Sequence, residues 1–377
     1  MIRSMLIVDT YYPGFLQTLS TEIASENCDY ECRSKIVMSK RFGTSDAYAV
    51  NLHRHGWTAR EVVPNCCELQ SMWARENSVL FWSGLDRVPP SYVSRIPVAG
   101  SLWGHLPTLQ RILTKQIEKF DPRVVYFQDL NVASDALLKR LRRQGRLVVG
   151  QIASPLPPVR RLKMYDLILS SLPNQVAEIS GHGVASEFLP IAFDQRVINE
   201  LPANSVRDIP LSFVGGISPH HGTTIPLLRT IAMKCPEIEI FGYGAQSLAD
   251  DPNLRARHQG ECWAIDMYRV LRRSRVTLNR HINVAGDYAN NMRLFEATGV
   301  GSLLITDKKV NLGDYFHVGT EVLAYDSAEE AAELARWAMD HPEEAEAIAK
   351  AGQTRTLTEH TYDRCMERLA GILKRYL

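Results

Sequence analysis

The chain's 377 residues exceed what one hydrophobic core usually organises, so two domains with a cleft between them are expected. Hydrophobic residues make up 45% and charged residues 23%, which excludes a disordered or fibrous chain. Lys plus Arg total 43 against 42 for Asp plus Glu, so no global field draws the protein to nucleic acid or a membrane, and any anionic ligand must be caught by local groups.

The first apolar run, residues 5–8, stops at Asp9 and is too short for a signal-peptide core; it reads as a strand of a cytoplasmic protein. No run approaches the ~20 apolar residues that span a bilayer. Residues 45–55 (SDAYAVNLHRH) follow a helical period, end at Gly56 and lead into an extended segment at 59–63. The unit recurs with a helix at 106–120, a strand at 124–127, a helix at 134–144 stopped by Gly145, and a strand at 147–150. A strand at 166–169, a helix near 174–181 and an extended run at 187–190 complete the half. Residues 66–104 fit no unit and are treated as an insertion with a loop and short helices.

Residues 194–210 (DQRVINELPANSVRDIP) show mixed polarity and no period, so the domain link is placed there. A second α/β series follows: strands at 211–214, 238–241, 276–278 and 302–305, with helices after His221, at 264–273 and at 291–298. From Ser327 the pattern is helical, with breaks at His341-Pro342 and Gly352. The expectation is an α/β protein of two Rossmann-like domains facing across a cleft, residues 1–200 and 201–377, the last helix free to pack back on the first domain. Ligands would sit at the carboxyl ends of the strands. Seven cysteines form no CxxC pair and no zinc-like spacing, so they are read as reduced thiols without a metal.

Two motifs carry chemistry. Phe213-Val-Gly215-Gly216-Ile217 runs a strand into paired glycines ahead of a helix, which lets backbone N–H groups approach a diphosphate; a tight turn taking glycine for steric reasons is the competing reading. There is no GxxxxGK[ST] or GxGxxG, so neither a P-loop nor dinucleotide chemistry is indicated. In the second motif, Arg293 and Glu296 lie three apart on one helix face, where one could offset phosphate charge and the other accept hydrogen bonds from ribose hydroxyls. Against this stands a solvent-exposed ion pair worth ~0.3 kcal/mol. Asp9 and Asp129 each end a parallel strand and are the candidate catalytic bases, unless they cap the following helices. Tyr11, Tyr12 and Phe15 could stack on a sugar. The basic runs at 139–143 and 272–275 read as solvated helix faces, or less readily as a membrane or polyanion contact.

The stretch Met292-Arg-Leu-Phe-Glu-Ala-Thr-Gly-Val-Gly301, with Leu312-Gly-Asp-Tyr-Phe316, Gly319-Thr-Glu321, Tyr325, His341-Pro-Glu-Glu344 and His360-Thr-Tyr362, resembles the carboxyl-terminal domain of GT-B glycosyltransferases, nearest to the CgeB-like (spore-maturation) branch of glycosyl transferases group 1. The resemblance implies a metal-independent enzyme without a bound cofactor that moves a sugar from a nucleotide-diphosphate donor to a hydroxyl of a glycan, protein or small molecule. By position it implies that Gly215 and Gly216 face the diphosphate, that Tyr243 contacts the donor from the loop ending the next strand, that Trp263 lies by the nucleobase unless it is a core residue, and that Asn291 and Met292 supply backbone N–H groups. Glu296 would bind the ribose, with His221, Arg280 and Arg293 as the positive groups. Where retaining members carry a first Glu, Tyr288 stands here, and His220 and His221 stand where a basic pair is usual, so the stereochemical outcome is open. A nucleotide-sugar epimerase of the same form and a non-catalytic nucleotide- or sugar-binding protein are the alternatives.

Overall fold

The computed structural model describes residues 3–25, 28–80, 107–203, 205–217 and 224–377. The chain divides into two compact units, Met1–Leu189 with Met366–Leu377, and Pro190–Cys365.

In the first unit, strands β1 (Ser4–Val8), β2 (Thr58–Val62), β3 (Val124–Phe127), β4 (Leu147–Gln151), β5 (Leu167–Ser170) and β6 (Ser186–Phe188) form a parallel sheet in the order β2-β1-β3-β4-β5-β6. β3 and β5 are buried along their whole length. Helices cover both faces of such a sheet, so its central strands read as unbroken apolar runs. The helix Asp135–Arg143 shows the partner pattern: Leu137, Leu138 and Leu141 are buried while basic residues crowd its last turn, and Ser134 Oγ caps it by accepting from Leu137 N at 3.2 Å.

The second unit repeats the plan with β7 (Ile209–Val214), β8 (Ile238–Phe241), β9 (His258–Gly260), β10 (Ser274–Leu278), β11 (Leu303–Asp307) and β12 (Leu323–Tyr325), all parallel in the order β12-β11-β10-β7-β8-β9. β7 serves two cores: Leu211 and Phe213, on one face of the strand, join one apolar cluster, and Val214, on the other face, joins the second, as does Ile209 at the strand's start. The expected α/β class of two Rossmann-like sheets is therefore what forms.

Several local expectations change. The segment read as a link, 194–210, is structured: Asp194 is buried and accepts from Arg196 Nη2 at 2.6 Å, Arg196–Glu200 is helical, and β7 starts at Ile209. The division between units falls earlier, at Leu189–Pro190. Gly352 does not break its helix, which runs Pro342–Glu359. Its bare α-carbon instead allows close packing, since a Cβ there would stand 2.3 Å from the Glu321 carbonyl oxygen. Helices Pro13–Ser25 and Tyr30–Ser39 were not expected. Of the proposed insertion, Cys67–Glu76 is a helix, and residues 81–106 lie outside the described residues. All seven cysteines are free thiols. No helix among the described residues is long and apolar enough to cross a membrane.

Candidate active site

In each sheet the strand order reverses at one point, where crossovers leave in opposite directions and open a crevice at the carboxyl ends. In the first unit that point lies between β1 and β3; in the second, between β7 and β10. The candidate residues gather at both.

At the first point, Val8 pairs with Phe127, so Asp9 and the Gln128-Asp129 pair emerge side by side. Asp9 accepts from Thr10 N at 2.7 Å, and Thr10 Oγ1 donates to Asp129 at 3.3 Å. The Gln128 amide, turned with its nitrogen toward Asp9, donates to that carboxylate at 3.1 Å. Burial raises the Asp9 pKa to about 7; the Asp129 charge adds to the rise and the Thr10 N–H opposes it. A carboxyl poised there is suited to proton transfer at neutral pH. Neither aspartate caps a helix: the helix after β1 begins four residues beyond Asp9, at Pro13, and the helix after β3 is capped by Ser134, while Asp129 accepts from Asn131 N at 2.8 Å. The capping reading is thereby corrected. Tyr11 and Phe15 are buried in an aromatic cluster in which Phe15 stacks on Phe42 at 4.1 Å, which corrects their reading as sugar platforms; Tyr12 remains exposed. Thr10 and Gln128 were not singled out from the sequence, although Gln128 abuts a chosen aspartate.

At the second point the loops leaving β7 and β8 are laced together. Gly215 N donates to Phe241 O at 3.0 Å, Ile217 N to Tyr243 O at 2.8 Å, and Gly242 N to Gly260 O at 2.9 Å. Gly242 and Gly244 have φ of +134° and +96°, and a Cβ on either would fall within 2.0 Å of a carbonyl oxygen of the facing loop, Gly215 O or Ile217 O. The Tyr243 ring lies over Gly216, and Trp263 stacks on Tyr243 with centroids 5.6 Å apart and planes 5° from parallel.

Two arginines flank this turn. Arg293 Nε donates to Val214 O at 3.2 Å, and its Nη1 lies 2.8 Å from Glu296 Oε2. The ion pair the sequence offered does form, but it is not solvent-exposed: the two side chains are 12% and 9% accessible, and Tyr268 OH donates to Glu296 at 3.4 Å. Arg280 donates to Thr224 Oγ1 at 3.2 Å, at the start of the helix Thr224–Lys234. Asn291 ties the loops, its Nδ2 donating to Asn279 Oδ1 at 3.0 Å and its Oδ1 accepting from Arg293 N at 2.7 Å, with Met292 immediately before the helix Arg293–Gly299. His221, with residues 218–223, lies outside the described residues. A His281–Asp307 pair at the ends of β10 and β11, Nδ1 to Oδ1 2.7 Å, was not anticipated. Burial pushes the Asp307 carboxyl up, but His281 and Lys309 more than offset this and hold it below its ordinary value.

Because Arg293 and Glu296 are largely buried, removing either partner strands a charge. Arg293→Met and Glu296→Gln are each expected to lower stability by about 3 kcal/mol, and the double variant by clearly less than the sum, in urea denaturation. Additive losses would mean that the pair contributes no coupling.

Comparison with solved structures covers almost the whole chain. Anabaena HepE in complex with UDP-glucose aligns with a TM-score of 0.63 at 11% identity, covering 99% of each chain. Sucrose-phosphate synthase from Thermosynechococcus elongatus aligns at 0.61 and 13%, again covering 99% of each. A glycosyltransferase from Rickettsia africae aligns at 0.58 and 10%, covering 99% of this chain and 98% of the other. The chain has the GT-B fold. Residues 225–371 of this GT-B chain also match the family described as glycosyl transferase-like. No curated protein matches it. In GT-B terms, the glycine turn, the Tyr243–Trp263 stack and the Arg293–Glu296 pair all belong to the carboxyl-terminal unit, and the Asp9–Asp129 cluster to the other.

Proposed function

We propose that the protein is a glycosyltransferase that uses a nucleoside-diphosphate sugar, with uridine the first base to test, and transfers the sugar to a hydroxyl of a glycan, protein or small molecule without a metal. The observation that carries this reading is the laced glycine turn at the β7/β10 switch point, with the Tyr243–Trp263 stack, Arg280 and Arg293 beside it. The half-buried Gly215–Gly216 backbone has no side chain to hold a diphosphate off, although the Gly215 N–H itself is engaged by Phe241 O, and the stack offers a nucleobase a flat apolar neighbour. Glu296 would accept the ribose hydroxyls in place of the weak Tyr268 contact, while Arg280 and Arg293 offset diphosphate charge. In the transfer, the acceptor oxygen bonds to the anomeric carbon as the bond from that carbon to the diphosphate breaks. The acceptor proton passes to a base, for which Asp9 has the matching pKa. We also place the chain in the CgeB-like branch, on the sequence resemblance alone.

The test is a melting series with UDP, GDP, TDP and CMP in the presence of a chelator. At least one is expected to raise Tm, and Trp263→Ala to weaken that nucleotide's affinity by roughly 5- to 150-fold, the range of one base–aromatic stack. If none shifts melting, the donor assignment fails. Donor turnover without any acceptor would point to an epimerase, and binding without turnover to a non-catalytic protein.

A further inference from the structure

The second unit contains a cavity of about 680 Å³ that the donor reading leaves unused. Arg207 precedes β7, Arg275 lies near the start of β10 and Gly301 precedes β11, so the cavity opens at the amino ends of these strands, opposite the glycine turn. Arg207, Arg272 and Arg275 line it, together with Lys350 and Gln353. Each arginine is anchored by a backbone carbonyl: Arg207 Nη1 to Ser274 O at 2.8 Å, Arg272 Nη1 to Val300 O at 2.9 Å, and Arg275 Nε to Arg207 O at 3.0 Å. Among the described residues none of the three forms an ion pair with a carboxylate, whereas their neighbour Arg273 is neutralised by Asp208 at 2.6 Å.

Gathering unpaired guanidinium groups around a concavity is unfavourable unless something anionic joins them. Burial and the adjacent Arg272 charge hold Arg207 below its ordinary pKa, with Glu346 in the wall pulling the other way. Gly301 contributes by omission: a Cβ there would stand 2.9 Å from Arg207 Nη2 and 3.1 Å from Gln353 Oε1, filling the space between them. Val276, Ala338, Ala345 and Ala349 give the cavity a small apolar floor.

We propose that this cavity binds a small phosphate-bearing ligand, the phosphate against Arg207, Arg272 and Arg275 and the carbon portion on the alanine-lined floor. Guanidinium forks match phosphate oxygens in pairs, and Lys350 adds a mobile point charge. A free phosphorylated metabolite and a phospholipid headgroup share this chemistry.

The experiment titrates the full chain with inorganic pyrophosphate by calorimetry and, separately, with vesicles containing phosphatidic acid by flotation. Arg275→Gln, at an exposed position, is expected to weaken pyrophosphate binding about tenfold, and Glu346→Gln to tighten it several-fold, because it removes the carboxylate of the wall. Both variants leave the glycine turn intact, so a UDP titration should be the same in all three proteins. Vesicle binding that follows the same order assigns the ligand to a headgroup; the order in solution alone assigns it to a free metabolite. Binding of neither probe, or affinities for both that ignore Arg275→Gln, overturns the proposal.

Discussion

Asp9→Asn is expected to lower turnover by roughly 10²- to 10⁴-fold, the usual contribution of a general base, while nucleotide affinity is unchanged. Its pH profile is the sharper readout. A base works in its deprotonated form, so wild-type kcat/KM should rise with pH and level off above about 7, the value to which burial and the Asp129 charge lift Asp9. Asp129→Asn should move that limb to lower pH, and only partway, because burial is the larger cause and remains. Stability moves in the opposite sense. The folded-state pKa of Asp9 is raised above the ordinary 3.8, so between that value and about 7 the native protein holds a proton that the unfolded chain releases. Its contribution is fully present below 3.8 and is lost as pH rises through about 7. Asp9→Asn, which cannot ionise, should therefore be more stable than wild type at pH 8, by on the order of 4 kcal/mol, and nearly equal to it near pH 4, in urea titrations at the two pH values. A variant less stable than wild type at pH 8 would show that Asp9 is held as a favourable carboxylate and would remove the case for it as a base.

The strands were legible because a parallel sheet covered on both faces demands unbroken apolar runs, and runs such as Val124-Val-Tyr-Phe127 have no other economical fate. Strand order was not legible, and it is what brings Asp9 beside Asp129, 120 positions apart, and the carboxyl end of β7 at Val214 beside that of β10 at Leu278. The residues that join them, Thr10 and Gln128, have ordinary neighbours in the sequence and acquire meaning only from the register of β1 with β3. Helix Tyr30–Ser39 was missed because only Tyr30, Val37 and Met38 are buried, too few to mark a face. Gly352 was misread for a related reason. In sequence, glycine signals a break, but here a neighbouring carbonyl occupies the place of its side chain, and that contact comes from Glu321, 31 positions earlier. The Arg293–Glu296 pair was visible from its spacing, yet its burial, which decides whether it is worth tenths of a kcal/mol or several, depends on Val214 and Tyr268 from other elements.

Gly244→Ala should remove nucleotide-dependent stabilisation and lower stability by about 3 kcal/mol or more. The added methyl would stand 1.7 Å from Ile217 O, and the obstacle is backbone, held by the Ile217 N to Tyr243 O hydrogen bond of 2.8 Å, so it cannot swing aside as a side-chain tip would. The φ of +96° adds about 1 kcal/mol of strain for any residue with a Cβ. Gly260→Ala separates the two causes. Its φ of +105° imposes similar strain, but nothing lies within 4 Å of the new atom, so it should lose about 1 kcal/mol and keep its response to nucleotide. Gly216→Ala tests the stack alone. Its methyl would meet the Tyr243 ring tip at 2.4 Å, and a ring tip can turn away at modest cost. Turning it separates Tyr243 from Trp263, so this variant should fold nearly as well as wild type and yet bind nucleotide at least fivefold more weakly. Full nucleotide affinity in both Gly216→Ala and Gly244→Ala would mean that the laced turn is only a strand-to-helix connection, and the donor would have to bind elsewhere.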